Sequence, residues 1–411
     1  MKSALPQPEA NIGMIGHVDH GKTTLTQRLT GKWTDTHSEE LKRGISIKLG
    51  YADATFYKYA GIQGAGAYGI KDTGPQGEKG ELLRVVSFVD APGHETLMAI
   101  MLSGAALMDG ALLLVAANEK CPQPQTREHL QALEIVGADK IVICQNKIDL
   151  VNEQGATKNY EEIRSFVEGT IAEKAPIIPV SAHHDVNIDA LIEAIERTIP
   201  TPKRDPGKEP LMVAARSFDI NRPGTPHQKL QGGVIGGSLV QGALNVGDEI
   251  EIAPGRLIEE KGQARLEPLT TVVTALIKGG AQVEKANPGG LLAVGTELDP
   301  AFTKADNLAG KIVGRPGQLP PIWEGFTMDL HLLERVVGAE EDSKVDAVKT
   351  REPLMLTVGT ATTVGVVTSA RPTSAEVKLK LPVCARPGQR VAISRRVGNR
   401  WRLIGHGIIK N

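Results

Sequence analysis

Between Asn11 and Pro200, short apolar runs alternate with stretches in which apolar residues recur every three or four positions. The runs NIGMIG (11–16), LRVVSFVD (83–90), GALLLVAA (110–117), KIVICQNK (140–147) and PIIPVSA (176–182) predict buried strands. TTLTQRLTG (23–31), TLMAIMLSGAALM (96–108), TREHLQALEIVG (126–137) and IDALIEAIERTI (188–199) carry helical spacing. Such alternation predicts an α/β domain, a mostly parallel sheet with helices on both faces. The next segment, PTPKRDPGKEP (200–210), has four prolines and mixed charge, which resists both helix and sheet pairing and predicts a linker.

Beyond the linker the period changes. LMVAARSF (211–218), GGVIGGSLV (232–240), VGDEIEIAP (246–254), LTTVVTALI (269–277) and GGLLAVGT (289–296) are short, mostly β-branched runs separated by turn residues. The same texture resumes with FTMDLHLL (326–333) and continues through PLMLTVGTAT, VGVVTSA, AEVKLKLP, QRVAIS and RWRLIGHG. Many short strands of this kind predict antiparallel barrels or sandwiches. Roughly 200 residues is long for one such domain, so a split is placed after the Gly/Pro-rich GRPGQLPPIWEG (314–325). The expected class is α/β plus all-β, with a nucleotide domain over 1–206 and β-barrels over 207–325 and 326–411. Within the first domain, residues 60–80 hold seven glycines among 21 residues without a clear period, which reads as a mobile surface loop rather than a binding element.

Composition narrows the setting. The 411 residues carry 47 Lys or Arg against 48 acids, so net charge gives no sign of a polyanion partner. The three cysteines, Cys121, Cys144 and Cys384, lie far apart, which excludes a disulfide framework and a four-cysteine zinc site. The N-terminal stretch lacks the apolar core of a signal peptide, and no apolar run reaches membrane-spanning length. A reducing, cytoplasmic setting with no membrane partner is expected.

Four motifs carry chemistry. Gly16-His17-Val18-Asp19-His20-Gly21-Lys22-Thr23 matches G-x-x-x-x-G-K-[ST] between a strand and a helix. There backbone N–H groups curl round phosphates, Lys22 reaches the β and γ phosphates, and the Thr23 hydroxyl can ligate Mg²⁺. The helix opening at Lys22 and Thr24 adds its positive end. Asp90-Ala91-Pro92-Gly93 closes the next core strand, where Asp90 can sit in the water shell of the magnesium and the Gly93 N–H can face the γ-phosphate. In Asn146-Lys147-Ile148-Asp149, the Asp149 carboxylate can accept from guanine N1–H and the 2-amino group together. Adenine offers neither donor there and would leave the carboxylate unpaired. Finally, Ser181-Ala182-His183 places the Ala182 N–H to donate to guanine O6. Each motif alone is weak. All four fall in order at strand ends of one α/β domain, where ligands of open sheets collect, and together they predict a GTP/GDP site.

Hydrolysis needs an oriented water and neutralised phosphoryl charge. His94, directly after Gly93, can place that water or share its proton, and Lys22 supplies charge. His17 and His20 shape the phosphate loop rather than act as acids, and the adjacent His183 and His184 are not expected to hold a metal.

The spellings GHVDHGKT, DAPGH and NKID resemble those of the translational GTPases, to which elongation factor Tu belongs. More narrowly, LKRGISIKLGYAD (41–53), AANEKCPQPQTREHL (116–130), NRPGT (221–225), GGVIGGSL (232–239) and REPLMLTVGTATTVGVVTSA (351–370) resemble the gamma subunits of archaeal and eukaryotic translation initiation factor 2. The resemblance covers essentially the full chain, and its short N-terminus favours the archaeal form. It implies a GTPase domain followed by two barrels. It also implies a heterotrimer with alpha and beta subunits that brings methionyl initiator tRNA to the small ribosomal subunit. By position Arg43–Ile47 look like the first switch, with Ser46 as an Mg²⁺ ligand where the family usually has Thr, and Asp19 is similar to a loop aspartate that helps hold a cation. The zinc knuckle often carried by the gamma family falls on 60–80, which has no Cys, so no zinc is expected.

From Arg371 to Asn411 there are ten Lys or Arg and one acid, Glu376, a bias suited to an RNA backbone or to an acidic subunit. No DNA partner is expected. Rival readings are an elongation-type or selenocysteinyl-tRNA carrier, against which the short chain end and the second-barrel segment speak, and a metabolic GTPase of the sulfate adenylyltransferase type.

Overall fold

The computed structural model describes residues 6–34, 49–91, 98–260, 263–334, 344–398 and 400–410. They form two compact units, Pro8–Pro202 and Lys203–Asn411, the second of which also takes in Gln7. Gln7 donates through Nε2 to the Lys285 carbonyl (2.6 Å) and accepts through Oε1 from the Asn287 N–H (2.9 Å).

The first unit is built from strands β1 (Ala10–Gly16), β2 (Gly50–Tyr59), β3 (Tyr68–Gly69), β4 (Gly80–Asp90), β5 (Gly110–Ala116), β6 (Ile141–Asn146) and β7 (Ile177–Pro179). Helices α1 (Lys22–Thr30), α2 (Met98–Ala105), α3 (Pro124–Val136), α4 (Glu153–Val167) and α5 (Ile188–Thr198) accompany them. The sheet order is β3-β2-β4-β1-β5-β6-β7. From β4 to β7 all pairings are parallel, while β2 and β3 are antiparallel additions at one edge. Strands β1, β5 and β6 are buried at every position, as strands covered on both faces must be. Ile12, Met14, Leu112 and Leu114 share one core with Leu25 and Leu29 of α1 and Leu191, Ile192 and Ile195 of α5. Gly13, of opposite parity, faces Met108 instead.

The antiparallel edge and α4 are additions to the sequence reading. In β2 the inward positions are Ala52, Ala54 and Phe56, so two of its three core residues are too small to mark an alternation. In α4 only Asn159, Ile163 and Val167 are buried, one of them polar. The helix is fixed instead by its Asn152 cap, which accepts from the Gly155 N–H (2.9 Å), and by Asn159. Asn159 accepts from Gln145 Nε2 (3.0 Å) and donates to the Glu119 carbonyl (2.8 Å).

The glycine-rich segment is a built lobe. Tyr59, 5 % exposed, stands at its centre and donates its hydroxyl to the Lys71 carbonyl (3.0 Å). The chain folds closely over this ring at Gly69 and Gly74, Thr73 bridges to Lys79, and Ala67 is buried. Tyr68 and Ile70 pack on the domain core. Gly69 and Gly74 therefore serve close packing against one aromatic side chain, while Gly61, Gly64 and Gly77 supply positive-φ turns, and no periodicity records either role.

The second unit is two closed antiparallel barrels. Its strands are β8 (Leu211–Phe218), β9 (Val234–Gln241), β10 (Leu244–Asn245), β11 (Glu249–Glu260), β12 (Gln263–Lys278), β13 (Ala281–Val283), β14 (Lys285–Ala286), β15 (Leu292–Thr296), β16 (Ile312–Gly314), β17 (Ile322–Leu332), β18 (Pro353–Val358), β19 (Ala361–Arg371), β20 (Ser374–Cys384), β21 (Arg390–Val397) and β22 (Arg400–Ile409). The first ring runs β11-β16-β8-β9-β15-β12 and closes through β11–β12. The second runs β17-β20-β19-β18-β21-β22 and closes through β17–β22. Closure removes the exposed edges that would otherwise invite other strands. Each ring has its own core, around Ile235, Ile250 and Val294 in one and Met328, Leu356 and Ile393 in the other. Thr360 Oγ1, at the β18–β19 turn, donates to the Ala214 carbonyl of β8 (2.9 Å) and ties the barrels together.

Candidate nucleotide site

Strand β1 ends at Gly16 and α1 begins at Lys22, so the intervening loop lies at the carboxyl edge of the parallel sheet. Two glycines make its path possible. Gly16 has φ +139°, and a Cβ there would lie 2.4 Å from the Leu114 carbonyl oxygen. Gly21 has φ +89°, and its Cβ would lie 2.4 Å from Asn146 Nδ2. Lys22 is buried, and its Nζ donates to the carbonyls of Gly16 (3.0 Å) and His17 (2.6 Å), so its charge is held inside the curl of the loop. Such a cradle fits an anion that takes over the ammonium from these carbonyls. Asp19 is exposed at φ 61° on the outer turn, and Thr24 is half-buried in the first turn of α1.

Of the loop histidines, His20 is an interior group and His17 is half-buried. His20 is fully buried, with Nδ1 2.9 Å from the Leu114 carbonyl oxygen and Nε2 3.4 Å from Glu119 Oε2. Its offering to a ligand is therefore the main chain, not the ring. Burial pushes the pKa values of His20 and His17 below the usual imidazole range.

Thr23 Oγ1 donates to Asp90 Oδ2 (3.0 Å), and Asp90 is almost wholly buried at the end of β4. A hydroxyl and a carboxylate in this geometry form the hard-oxygen set that Mg²⁺ takes. Thr34 also donates to Asp90 Oδ2, at 2.6 Å, a contact the motif reading did not contain. Ser46, Gly93 and His94 lie outside the described residues.

At the Asn-Lys-x-Asp turn, Asn146 joins the motifs. Its Nδ2 donates to the His20 carbonyl (2.9 Å), and its Oδ1 accepts from the Ala182 N–H (3.1 Å). The Ala182 N–H expected to face guanine O6 is thus engaged with Asn146 here. Lys147 is half-buried at φ 64°, the turn that carries Asp149 outward. Asp149 accepts from Ser181 Oγ (2.5 Å), and this hydroxyl holds its carboxyl below the usual carboxylate range. His184 Nε2 stands 3.7 Å from Asp149 Oδ2. Arg28 of α1 donates to the carbonyls of Ala182 (3.1 Å) and His183 (2.9 Å), fixing the Ser-Ala loop from below. Neither Arg28 nor His129, which binds the Gly16 N–H, was singled out from sequence. Both lie on helix faces, and their partners are main-chain atoms far away in sequence.

Sheet, phosphate loop, buried carboxylate and Asn-Lys-x-Asp turn define the class as a GTPase of the translational type. The elongation factor Tu GTP binding domain matches residues 7–201, and the C-terminal domain of initiation factor eIF2 gamma matches residues 324–409. The chain is 60% identical over 405 residues to translation initiation factor 2 subunit gamma of Pyrococcus abyssi, covering 98% of each chain. It is 62% identical to that of Archaeoglobus fulgidus, covering 99% of this chain and 96% of the relative, and 61% identical to that of Haloquadratum walsbyi, covering 100% of both. The chain belongs to the family of translation initiation factor 2 gamma subunits. Solved structures share its fold. A bacterial selenocysteine-specific elongation factor superposes with a TM-score of 0.74 at 24% identity, covering 98% of this chain and 58% of that one. Elongation factor SelB of Methanococcus maripaludis, in complex with a GTP analogue, gives 0.72 at 21%, covering 99% of this chain and 80% of that one. Among the described residues no helix is long and apolar enough to cross a membrane.

Proposed function

We propose that this translational GTPase is the GTP-binding gamma subunit of a heterotrimer with alpha and beta subunits. In this reading it carries methionyl initiator tRNA to the small ribosomal subunit in the cytoplasm and releases it after hydrolysis to GDP and phosphate. The observation that supports this most is identity of 60% or more running through the whole chain, barrels included, to relatives named as this subunit.

The phosphates sit in the Gly16–Thr23 curl, where Lys22 exchanges the Gly16 and His17 carbonyls for phosphate oxygens. Guanine is read by Asp149 against Ser181, with Asn146, Lys147, Ala182 and His183 forming the wall. Thr23, Asp90 and Ser46 hold Mg²⁺, which neutralises phosphate charge when bound, and Asp19 assists with a further cation. His94 orients the attacking water, and Gly93 faces the γ-phosphate. Contacts of this kind order switch segments with one nucleotide and release them with the other. The functional division is a GTPase domain over 1–206 followed by the two barrels, with the boundary expected at 325/326 moved before Ile322, because β17 of the second barrel already begins there.

The basic C-terminal stretch supports an RNA contact in part. Lys378 and Lys380 point outward from one face of β20, but Arg395 is spent on Glu352 and Lys410 on Asp329 (2.8 Å). The test is binding of methionylated initiator and elongator tRNA under GTP and under GDP, with the chain alone and with its alpha and beta partners. Preference for initiator tRNA that needs GTP supports the reading. Equal binding of both tRNAs points to an elongation-type carrier, and no binding in any state to a GTPase without a tRNA.

A further inference from the structure

Gly16 is where β1 leaves the sheet, and its peptide groups are held at both ends by side chains. The Gly16 N–H donates to His129 Nδ1 at 2.9 Å, and the Gly16 carbonyl accepts from Lys22 Nζ at 3.0 Å. His129 lies in the middle of α3, 113 residues away in sequence and 1 % exposed. Since a main-chain N–H can only donate, Nδ1 must offer its lone pair and the ring proton must sit on Nε2. Burial, reinforced by the charge of Lys22 and by His17 and His20, pushes His129 down to about 3, so the ring stays a neutral acceptor at any working pH.

The bond falls at one of the two glycine corners of the loop. Gly16 sits at φ +139°, and any Cβ there would meet the Leu114 carbonyl oxygen at 2.4 Å, so the corner is one that only glycine holds. The orientation of its amide sets the direction of the carbonyls that carry Lys22. We propose that His129 is a positioning residue of the phosphate loop: its Nδ1 holds the Gly16 amide, so affinity for nucleotide phosphates depends on a helix residue behind the loop. This rests on reading Gly16–Thr23 as the phosphate site.

Two variants of the full chain separate positioning from mere packing. His129→Asn puts an amide oxygen near the place of Nδ1 and keeps an acceptor, whereas His129→Leu keeps bulk and leaves the Gly16 N–H unpaired. GDP binding is measured by calorimetry and guanosine binding by competition, with the melting temperature of each variant recorded. His129→Leu is expected to weaken GDP by about tenfold or more and leave guanosine unchanged, while His129→Asn stays within roughly threefold of wild type. GDP affinity unaltered in both variants overturns the proposal, as does equal loss of GDP and guanosine in His129→Leu. If His129→Leu does not fold, a folded His129→Asn that has lost GDP overturns it also. A wild-type chain that binds no GDP would sink the phosphate-site reading itself, and the role of His129 with it.

Discussion

Asn146 Nδ2 stands 2.9 Å from the carbonyl oxygen of His20, so the residue that opens the guanine motif is bonded to the phosphate loop. Through Oδ1 the same side chain accepts from Ala182. Asn146→Ala removes both bonds within a buried site, and each buried group left unpaired costs about 1–3 kcal/mol. GDP affinity is expected to fall by about a hundredfold in a fluorescent-nucleotide titration. A fall of less than about threefold would show that the two loops hold their places without it.

Under the proposed function Asp149 governs base choice. An Asp149→Asn side chain offers an amide N–H where the carboxylate had only acceptors, so it meets the 2-amino group of guanine with a donor and the 2-oxo group of xanthine with a match. GDP should weaken by about 10²-fold or more while xanthosine diphosphate gains. Competition between the two nucleotides measures the exchange, and an unchanged order of preference would remove Asp149 from base recognition.

The proposed magnesium role of Thr23 and Asp90 predicts a dependence on chelation. With Thr23 and Asp90 both engaged, EDTA should speed GDP release from wild type by about tenfold, and Thr23→Ala should release GDP fast with or without EDTA. Stopped-flow release rates give the comparison. Thr34→Val, which deletes the 2.6 Å bond to Asp90, should raise the Mg²⁺ concentration needed for slow release.

Acid stability follows from the buried histidines. His129 falls from an ordinary 6.5 to about 3 on folding, and His17 and His20 shift the same way. The unfolded chain therefore binds more protons than the folded one below pH 6.5. Stability is fully present above that pH and is lost as pH falls toward 3, at about 1.4 kcal/mol per unit for His129 alone. Between pH 7 and 5 this amounts to about 2 kcal/mol, readable in urea melts. A folded His129→Asn chain should lose correspondingly less over the same range.

The lobe around Tyr59 makes a stability prediction. Tyr59→Phe deletes the bond to Lys71 and should cost about 1 kcal/mol. Gly69→Ala, whose methyl carbon would lie 2.2 Å from the Tyr59 hydroxyl, should cost more and expose residues 60–80 to proteolysis. Equal protease resistance in both variants and wild type would deny Tyr59 its organising role.

What could be read in advance follows from how information is written in the chain. Parallel core strands are continuous apolar runs, and the barrels repeat short runs with turns between, so both were legible. The nucleotide motifs were legible because their chemistry is packed into three to eight adjacent residues. Strand β2 was not, since its buried Ala52 and Ala54 carry no hydrophobic signature, and α4 was not, since Asn159 stands where an apolar residue would have marked the face. Arg28, Thr34 and His129 were invisible for another reason. Each serves the site through bonds to atoms 56 to 155 residues away, and only the folded chain brings those atoms together.

Arg28 has a kinetic consequence. It sits on the helix that begins at the phosphates and grips the carbonyls of the loop beside the base, as Asn146 grips both loops from the other side. Under the proposed function a nucleotide held there has no loose end from which to peel, because Arg28 and Asn146 join the loop at its phosphates to the loop at its base. Release is then expected as one concerted event, and an accelerator of exchange would need to pull on only one end.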